Sequence, residues 1–145
     1  MKFNIEESPG AEVRAMIDRG LDAFNDTKAG PPDARDLWVM ARGAGGSVQG
    51  GLKGRTYYGW LFIDWLWVSP ACRGTGIGAG LLAAAEKEAL RRGCIGAYVD
   101  TFNFQAPEFY VRQGYEEFGR IDDFPPGHAC VWLKKRLKTP ETPAS

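Results

Sequence analysis

The 145 residues hold a single histidine and three cysteines, and the cysteines form no C-x-x-C pair. Cys72, Cys94 and Cys130 are odd in number and widely spaced, so no disulfide framework and no metal site is expected and they read as buried thiols. An excess of charge of either sign is missing as well, since 18 Lys plus Arg offset 18 Asp plus Glu. Such a chain has no field to draw in nucleic acid or an anionic membrane, and neither is expected as a partner. The longest apolar run, residues 60–68, is interrupted by Asp64 and falls short of the ~20 residues that span a bilayer. Residues 1–4 lack the apolar stretch of a signal peptide, which leads to the expectation of a cytoplasmic protein.

What is present is ordinary for a folded chain, with 44% hydrophobic and 25% charged residues. That composition and length suit one domain over residues 1–137, followed by a loose Thr- and Pro-rich tail over 138–145. Glycine stands out: 19 residues are about twice the usual ~7% share, and they cluster at residues 43–59 and 74–80. Tight turns or close backbone approach to a ligand follow from that clustering.

A short strand is expected at residues 3–6. Val13, Ile17, Leu21 and Phe24 then recur at helical spacing and predict an amphipathic helix over 11–24. Two β-rich segments, 37–41 and 48–57, flank the glycine turn at 43–46 and read as a hairpin. Residues 60–68 are almost continuously apolar, the pattern of a central strand covered on both faces. Pro70 ends it, and Ile77, Leu81, Leu82, Ala85 and Ala89 make one face of a helix that Arg91, Arg92 and Gly93 close. With a further strand at 95–102, this gives a βαβ unit whose two strands run parallel. A short helix at 106–113 and two strands at 115–121 and 129–137 complete the chain.

The chemistry sits between the central strand and its helix, where Arg73-Gly74-Thr75-Gly76-Ile77-Gly78 sets unhindered amides and a guanidinium at a helix start. That is an anion cradle suited to phosphate or pyrophosphate. A Walker loop is excluded because Ala79-Gly80 stands where its Lys-Ser/Thr belongs. A dinucleotide fingerprint is formally matched by Gly74-x-Gly76-x-x-Ala79, with Asp100 near the place of a ribose-binding acid. Residues 69–73 nevertheless separate it from its strand, and too little chain follows for a doubly wound sheet. The segment most resembles the GNAT superfamily of acetyl-CoA-dependent N-acyltransferases, whose signature Arg73-x-x-Gly76-x-Gly78 reproduces. Val68-Ser69-Pro70 before it, Asn103 after the next strand, and Phe109-Tyr110 with Gly114-Tyr115 beyond extend the likeness over residues 60–118. It is similar above all to small bacterial single-domain members.

The resemblance implies a mixed α/β fold, mainly antiparallel, with the parallel βαβ unit at its centre and helices on its flanks. It implies acetyl-CoA as cosubstrate, a small-molecule or peptide amine as acceptor, and the homodimer common in the family. The strand before the motif is expected to be bulged and splayed from the next, with pantetheine in the gap along Leu66, Trp67 and Val68 and a backbone N–H of Trp67 or Val68 on the thioester carbonyl. The phosphates fall to Arg73, Gly74, Thr75, Gly76, Ile77, Gly78 and Ala79. Asn103, Pro107, Phe109 and Tyr110 complete the cosubstrate's surroundings, and Tyr110 matches the hydroxyl that protonates the departing thiolate.

For the base, Asp64 is the first candidate, since strand alternation sets it on the face of Phe62, Leu66 and Val68, where an acid is costly without a purpose or a partner. Asp100 is the second, and a water relay the third. His128, in a Pro-Gly-His loop, reads as a surface or packing residue. Tyr57, Tyr58, Trp60, Trp65, Trp67, Phe102 and Phe104 are available to line an acceptor pocket, with Asp122 and Asp123 to attract a cation. Cys72 adjoins Arg73, and direct transfer in a ternary complex is expected over a covalent carrier. A non-catalytic acyl-CoA sensor and a Rossmann-like nucleotide module are the other readings.

Overall fold

Residues 11–24, with their apolar side chains at helical spacing, do form a helix, and it runs further than that pattern: α1 spans Ala11–Ala29. Gly30 stops it at a positive φ of 77° and donates its N–H to the Asp26 carbonyl at 3.2 Å. The computed structural model describes residues 1–139, and the chain divides into the compact unit Met1–Pro32, which holds α1, and a second unit that begins at Asp33. The strand expected at residues 3–6 is absent. Its unit offers only a helix, and a strand without a neighbour leaves its backbone groups unpaired. Of the expected tail, residues 140–145 lie outside the described residues.

The second unit runs β1 (Arg35–Arg42), β2 (Val48–Tyr57), β3 (Trp60–Val68), α2 (Ile77–Arg91), β4 (Gly96–Phe102), α3 (Pro107–Arg112), β5 (Glu116–Asp122) and β6 (Ala129–Arg136). Its six-stranded sheet has the order β1-β2-β3-β4-β6-β5. Every neighbouring pair is antiparallel except β3 and β4, the parallel pair that the β3-α2-β4 crossover requires. The mixed α/β expectation therefore holds. A sheet with one parallel pair is not doubly wound, and the Rossmann-like reading falls.

The core lies between α2 and the sheet. Leu81, Leu82, Ala85 and Ala89, the predicted helix face, are buried against Leu37, Leu52, Leu61 and Ile63. Tyr110 of α3 and Tyr115 join the same cluster.

Two irregularities in β3 shape everything that follows. Lys53 pairs with Trp65 while its neighbour Gly54 pairs with Ile63, so Asp64 is the extra residue of a β-bulge. Before the bulge Leu61 and Ile63 are buried, and after it Leu66 and Val68 pack on the core, while Trp65 and Trp67 point outward and are half exposed or more. This corrects two expectations. Asp64 does not share a face with Leu66 and Val68, because the extra residue reverses the alternation. Nor is β3 covered on both faces beyond Ile63. The second irregularity is that β3 and β4 stop pairing after Ile63 and Val99, although both strands continue.

Candidate active site

The turn from β3 into α2 is assembled by short-range bonds. Pro70 opens a 3₁₀ turn over Pro70–Cys72. Ser69 donates its N–H to the Gln49 carbonyl at 2.8 Å, Cys72 donates to the Ser69 carbonyl at 2.9 Å, and the Thr75 hydroxyl donates to the Cys72 carbonyl. Gly74 and Gly76 follow at φ 79° and 87°, the left-handed region that side chains disfavour. A β-carbon at either would meet nothing within 4 Å, so conformation and not crowding calls for glycine.

Gly76 caps α2 without a side chain, and the first bond into the helix is Gly80 N–H to the Gly76 carbonyl at 3.0 Å. The amides of Ile77, Gly78 and Ala79 therefore have no intrahelical acceptor. They open on a cleft of about 360 Å³ lined by Val68, Arg73, Gly74, Gly76, Ile77, Gly78, Ala79 and Phe109 from the expected set. Cys72, expected beside Arg73, also lines it, as do Arg112 and Gln113, which were not foreseen. Orphan amides at the positive end of a 15-residue helix, with Arg73 and Arg112 beside them, fit the phosphate groups of a coenzyme A.

Leu66 and Trp67 lie instead on the separated part of β3. Their β4 side has no ladder partner, so backbone groups there are open to a ligand, as the expected splay requires. Thr75 closes the turn with its hydroxyl. Asn103 accepts from the Ala129 N–H at 3.3 Å and ties the end of β4 to β6. Pro107 begins α3, whose Ala106 cap takes φ 60°.

Tyr110 is 7% exposed, with its ring edge-on to Phe109 and Tyr115. Among the described residues its hydroxyl has no hydrogen-bond partner, and the one fully buried side-chain polar atom without a partner is Arg92 Nε. Burial pushes the pKa of the Tyr110 hydroxyl up to about 12, so it keeps its proton throughout the neutral range.

Asp64 is joined to Lys53 Nζ at 2.5 Å, both side chains mostly buried, and Lys53 also lies 4.0 Å from Asp36. Asp100, exposed on β4, makes no ion pair among the described residues. Partial loss of hydration raises its carboxyl above the usual range, and the charge of Asp64 raises it further. His128 packs edge-on against Phe104, 4.9 Å between centroids, in keeping with its reading as a packing residue. Of the expected acceptor groups, Tyr57 is tied to Tyr98 through their hydroxyls, and Asp122 is taken up by Arg120 at 2.9 Å.

Sequence reasoning missed Arg112, Gln49 and Lys53. Arg112 was within reach, three residues past Phe109 on the short helix. Gln49, which also accepts from the Cys72 thiol at 2.9 Å, and Lys53 act only through cross-strand neighbours that the chain order hides.

Residues 6–115 match the model of the acetyltransferase (GNAT) family. An acetyltransferase of Agrobacterium fabrum, Atu2258, is 42% identical over 137 residues, covering 94% of this chain and all of its own length. The blasticidin-S acetyltransferase of Streptomyces morookaense is 45% identical over 109 residues, 72% of this chain and 80% of the relative. A crystal structure of an acetyltransferase from Bacillus cereus superposes with a TM-score of 0.83 at 31% identity, covering 92% of this chain and 97% of the other. A more distant structure with the same fold, an aminoglycoside 6'-N-acetyltransferase complexed with coenzyme A, has a TM-score of 0.66 at 20% identity, covering 74% and 76%. With its parted strands, its open helix start and a likeness that runs along nearly the whole chain, the protein belongs to the acetyltransferase (GNAT) family and is an acetyltransferase.

Proposed function

We propose that the protein moves the acetyl group of acetyl-CoA to a primary amine of a small molecule or peptide by direct transfer in a ternary complex. The observation that carries this is the parting of β3 from β4 beside the open N-terminus of α2, which sets a gap for a thioester next to a cradle for phosphates. Acetyl-CoA supplies an acyl group already activated as a thioester. The chain's part is to hold and orient it: the Ile77, Gly78 and Ala79 amides with Arg73 and Arg112 at the phosphates, and the free edge of Leu66, Trp67 and Val68 along the gap.

Tyr110 then acts as the donor to the departing sulfur. A carboxylate at the split, Asp64 or Asp100, receives the amine's proton. Cys72 is engaged with Gln49, which supports direct transfer over an acyl-cysteine. The blasticidin-S acetyltransferase is named for a small-molecule acceptor, and that supports the same class here. Residues 1–137 act as one catalytic domain on this reading, supported by a family match that runs through the boundary at Pro32. A cytoplasmic location goes with it, and no helix among the described residues is long and apolar enough to cross a membrane.

Titration calorimetry with acetyl-CoA and NAD, followed by assay of thiol release with a panel of amines, tests the proposal. Binding of acetyl-CoA alone, with release that depends on amine, is the expected result. Binding without release across the panel supports an acyl-CoA sensor instead, and absence of binding removes the reading altogether.

A further inference from the structure

The last rung shared by β3 and β4 is Ile63 with Val99, and the next residue on each strand is an aspartate. Asp64 and Asp100 therefore face one another across the mouth of the split. Both turn to the side of the sheet away from Ile63 and Val99, because neighbouring residues alternate faces. Lys53, which bonds Asp64, pairs with Trp65, so Trp65 lies on that outer side too, and Trp67 with it.

This bank of the split is aromatic and open: Trp65 is 64% and Trp67 50% exposed, and Trp38 braces Trp65 edge-on at 5.9 Å. The opposite bank is aromatic as well. Phe102 follows Asp100 on the same face of β4 and stacks on Phe104 at 5.2 Å, and Phe124 reaches Phe102 at 5.6 Å from the β5–β6 loop. Exposed rings gathered on both sides of a carboxylate pair suit a flat cation, since rings stack on rings and attract positive charge at their faces.

We infer that the acceptor binds on this outer side of the split as an ammonium carried by an aromatic or heteroaromatic body, its ring held by Trp65, Trp67 and Phe104, and that Asp100 is the group that takes its proton. The inference rests on the acetyltransfer reading above and adds to it the acceptor's class and the base. Asp64 already shares the charge of Lys53 through its Oδ2, whereas Asp100 has no such partner among the described residues. Asp64 and Lys53 become positioning residues that set the charge around Asp100. In the reaction the ammonium sheds two protons on its way to an amide. One passes to Asp100 and on to solvent, freeing the lone pair that forms the C–N bond. The other ends on the thiolate released as the C–S bond breaks.

The titratable groups that interact with Asp100 are Asp64 on β3, Tyr98 on its own strand and Cys130 on β6; one step further out, Lys53 of β2 bonds Asp64, Arg55 of β2 acts on Tyr98, and Lys134 of β6 pairs with Tyr98. Loss of hydration raises the Asp100 carboxyl and the charge of Asp64 adds to that, so an Asp64→Asn variant keeps the titrating base but lets it lose its proton at lower pH.

The test compares thiol release from acetyl-CoA with tryptamine and with n-hexylamine, equal in charge and different in ring, in the wild type and in Trp65→Ala, Phe104→Ala, Asp64→Asn and Asp100→Asn. Tryptamine is the expected better substrate by roughly tenfold in kcat/KM, and both exposed-ring variants abolish that preference through KM. Asp100→Asn lowers kcat by roughly 10²- to 10⁴-fold and removes the acid limb of the pH profile, while Asp64→Asn shifts that limb to lower pH. Calorimetry with acetyl-CoA on each variant separates the two readings. If acetyl-CoA does not bind the wild type, the acetyltransfer proposal falls and this one with it. If it binds and the two amines react alike, or neither reacts, the acceptor class is wrong, and an Asp100→Asn enzyme with a wild-type pH profile removes Asp100 as the base.

Discussion

Lys53 and Asp64 meet at 2.5 Å across the bulge in β3, a lysine of one strand neutralising the extra residue of the next. The pair answers the cost of placing an acid within so apolar a run, and it couples the shape of the strand to the charge at the split.

Removing the cation exposes that coupling. Lys53→Met leaves a mostly buried carboxylate without its partner and lowers stability by about 1–2 kcal/mol near neutral pH, less than for a fully buried pair because water still reaches both groups. Urea unfolding of the variant beside the wild type measures it. A difference indistinguishable from zero means that solvent already screens Asp64.

The cradle makes a separate prediction. Arg73→Ala and Arg112→Ala each weaken acetyl-CoA binding by roughly tenfold, about 1.4 kcal/mol, with the wild-type advantage shrinking as salt is raised. Arg73 also donates to the Val68 carbonyl at 3.3 Å, so its loss loosens the end of β3 as well. Equal affinities by calorimetry show that the amides alone hold the phosphates.

Tyr110 links burial to pH. Its hydroxyl is pushed up to about 12 from a usual ~10, so folding favours the protonated form. That stability is fully present below pH ~10 and is lost as pH rises from there to about 12, by about 2–3 kcal/mol. Tyr115 and Tyr98 shift upward too, so Tyr110→Phe is the control, and its unfolding free energy falls less over the same window. The same variant at neutral pH lowers kcat while leaving acetyl-CoA affinity unchanged.

Cys72→Ser retains wild-type turnover, since serine keeps a hydrogen bond to Gln49 and no acyl-enzyme is needed. Loss of turnover in that variant, with acetyl-CoA still bound, points to covalent catalysis by the thiol.

The parts that sequence made legible are those that depend on near neighbours. Pro70, Gly74 and Gly76 dictate the turn, and the helix face from Ile77 to Ala89 dictates α2, because each follows from backbone preference and a spacing of a few residues. Residues 3–6 alternate like a strand yet form none, because pairing requires an edge elsewhere.

By itself the sequence determined the glycine turn into α2, the order of strands and helices from β1 onward, and the buried face of α2. Only the tertiary structure decided that Asp64 is a bulge, that Trp65 and Trp67 therefore face outward, that Asp64 is paired with Lys53, and that Asp100 stands across the split with no ion-pair partner among the described residues. The reason is physical: register belongs to two strands at once, and a single extra residue reverses every side chain beyond it while leaving the sequence pattern unchanged.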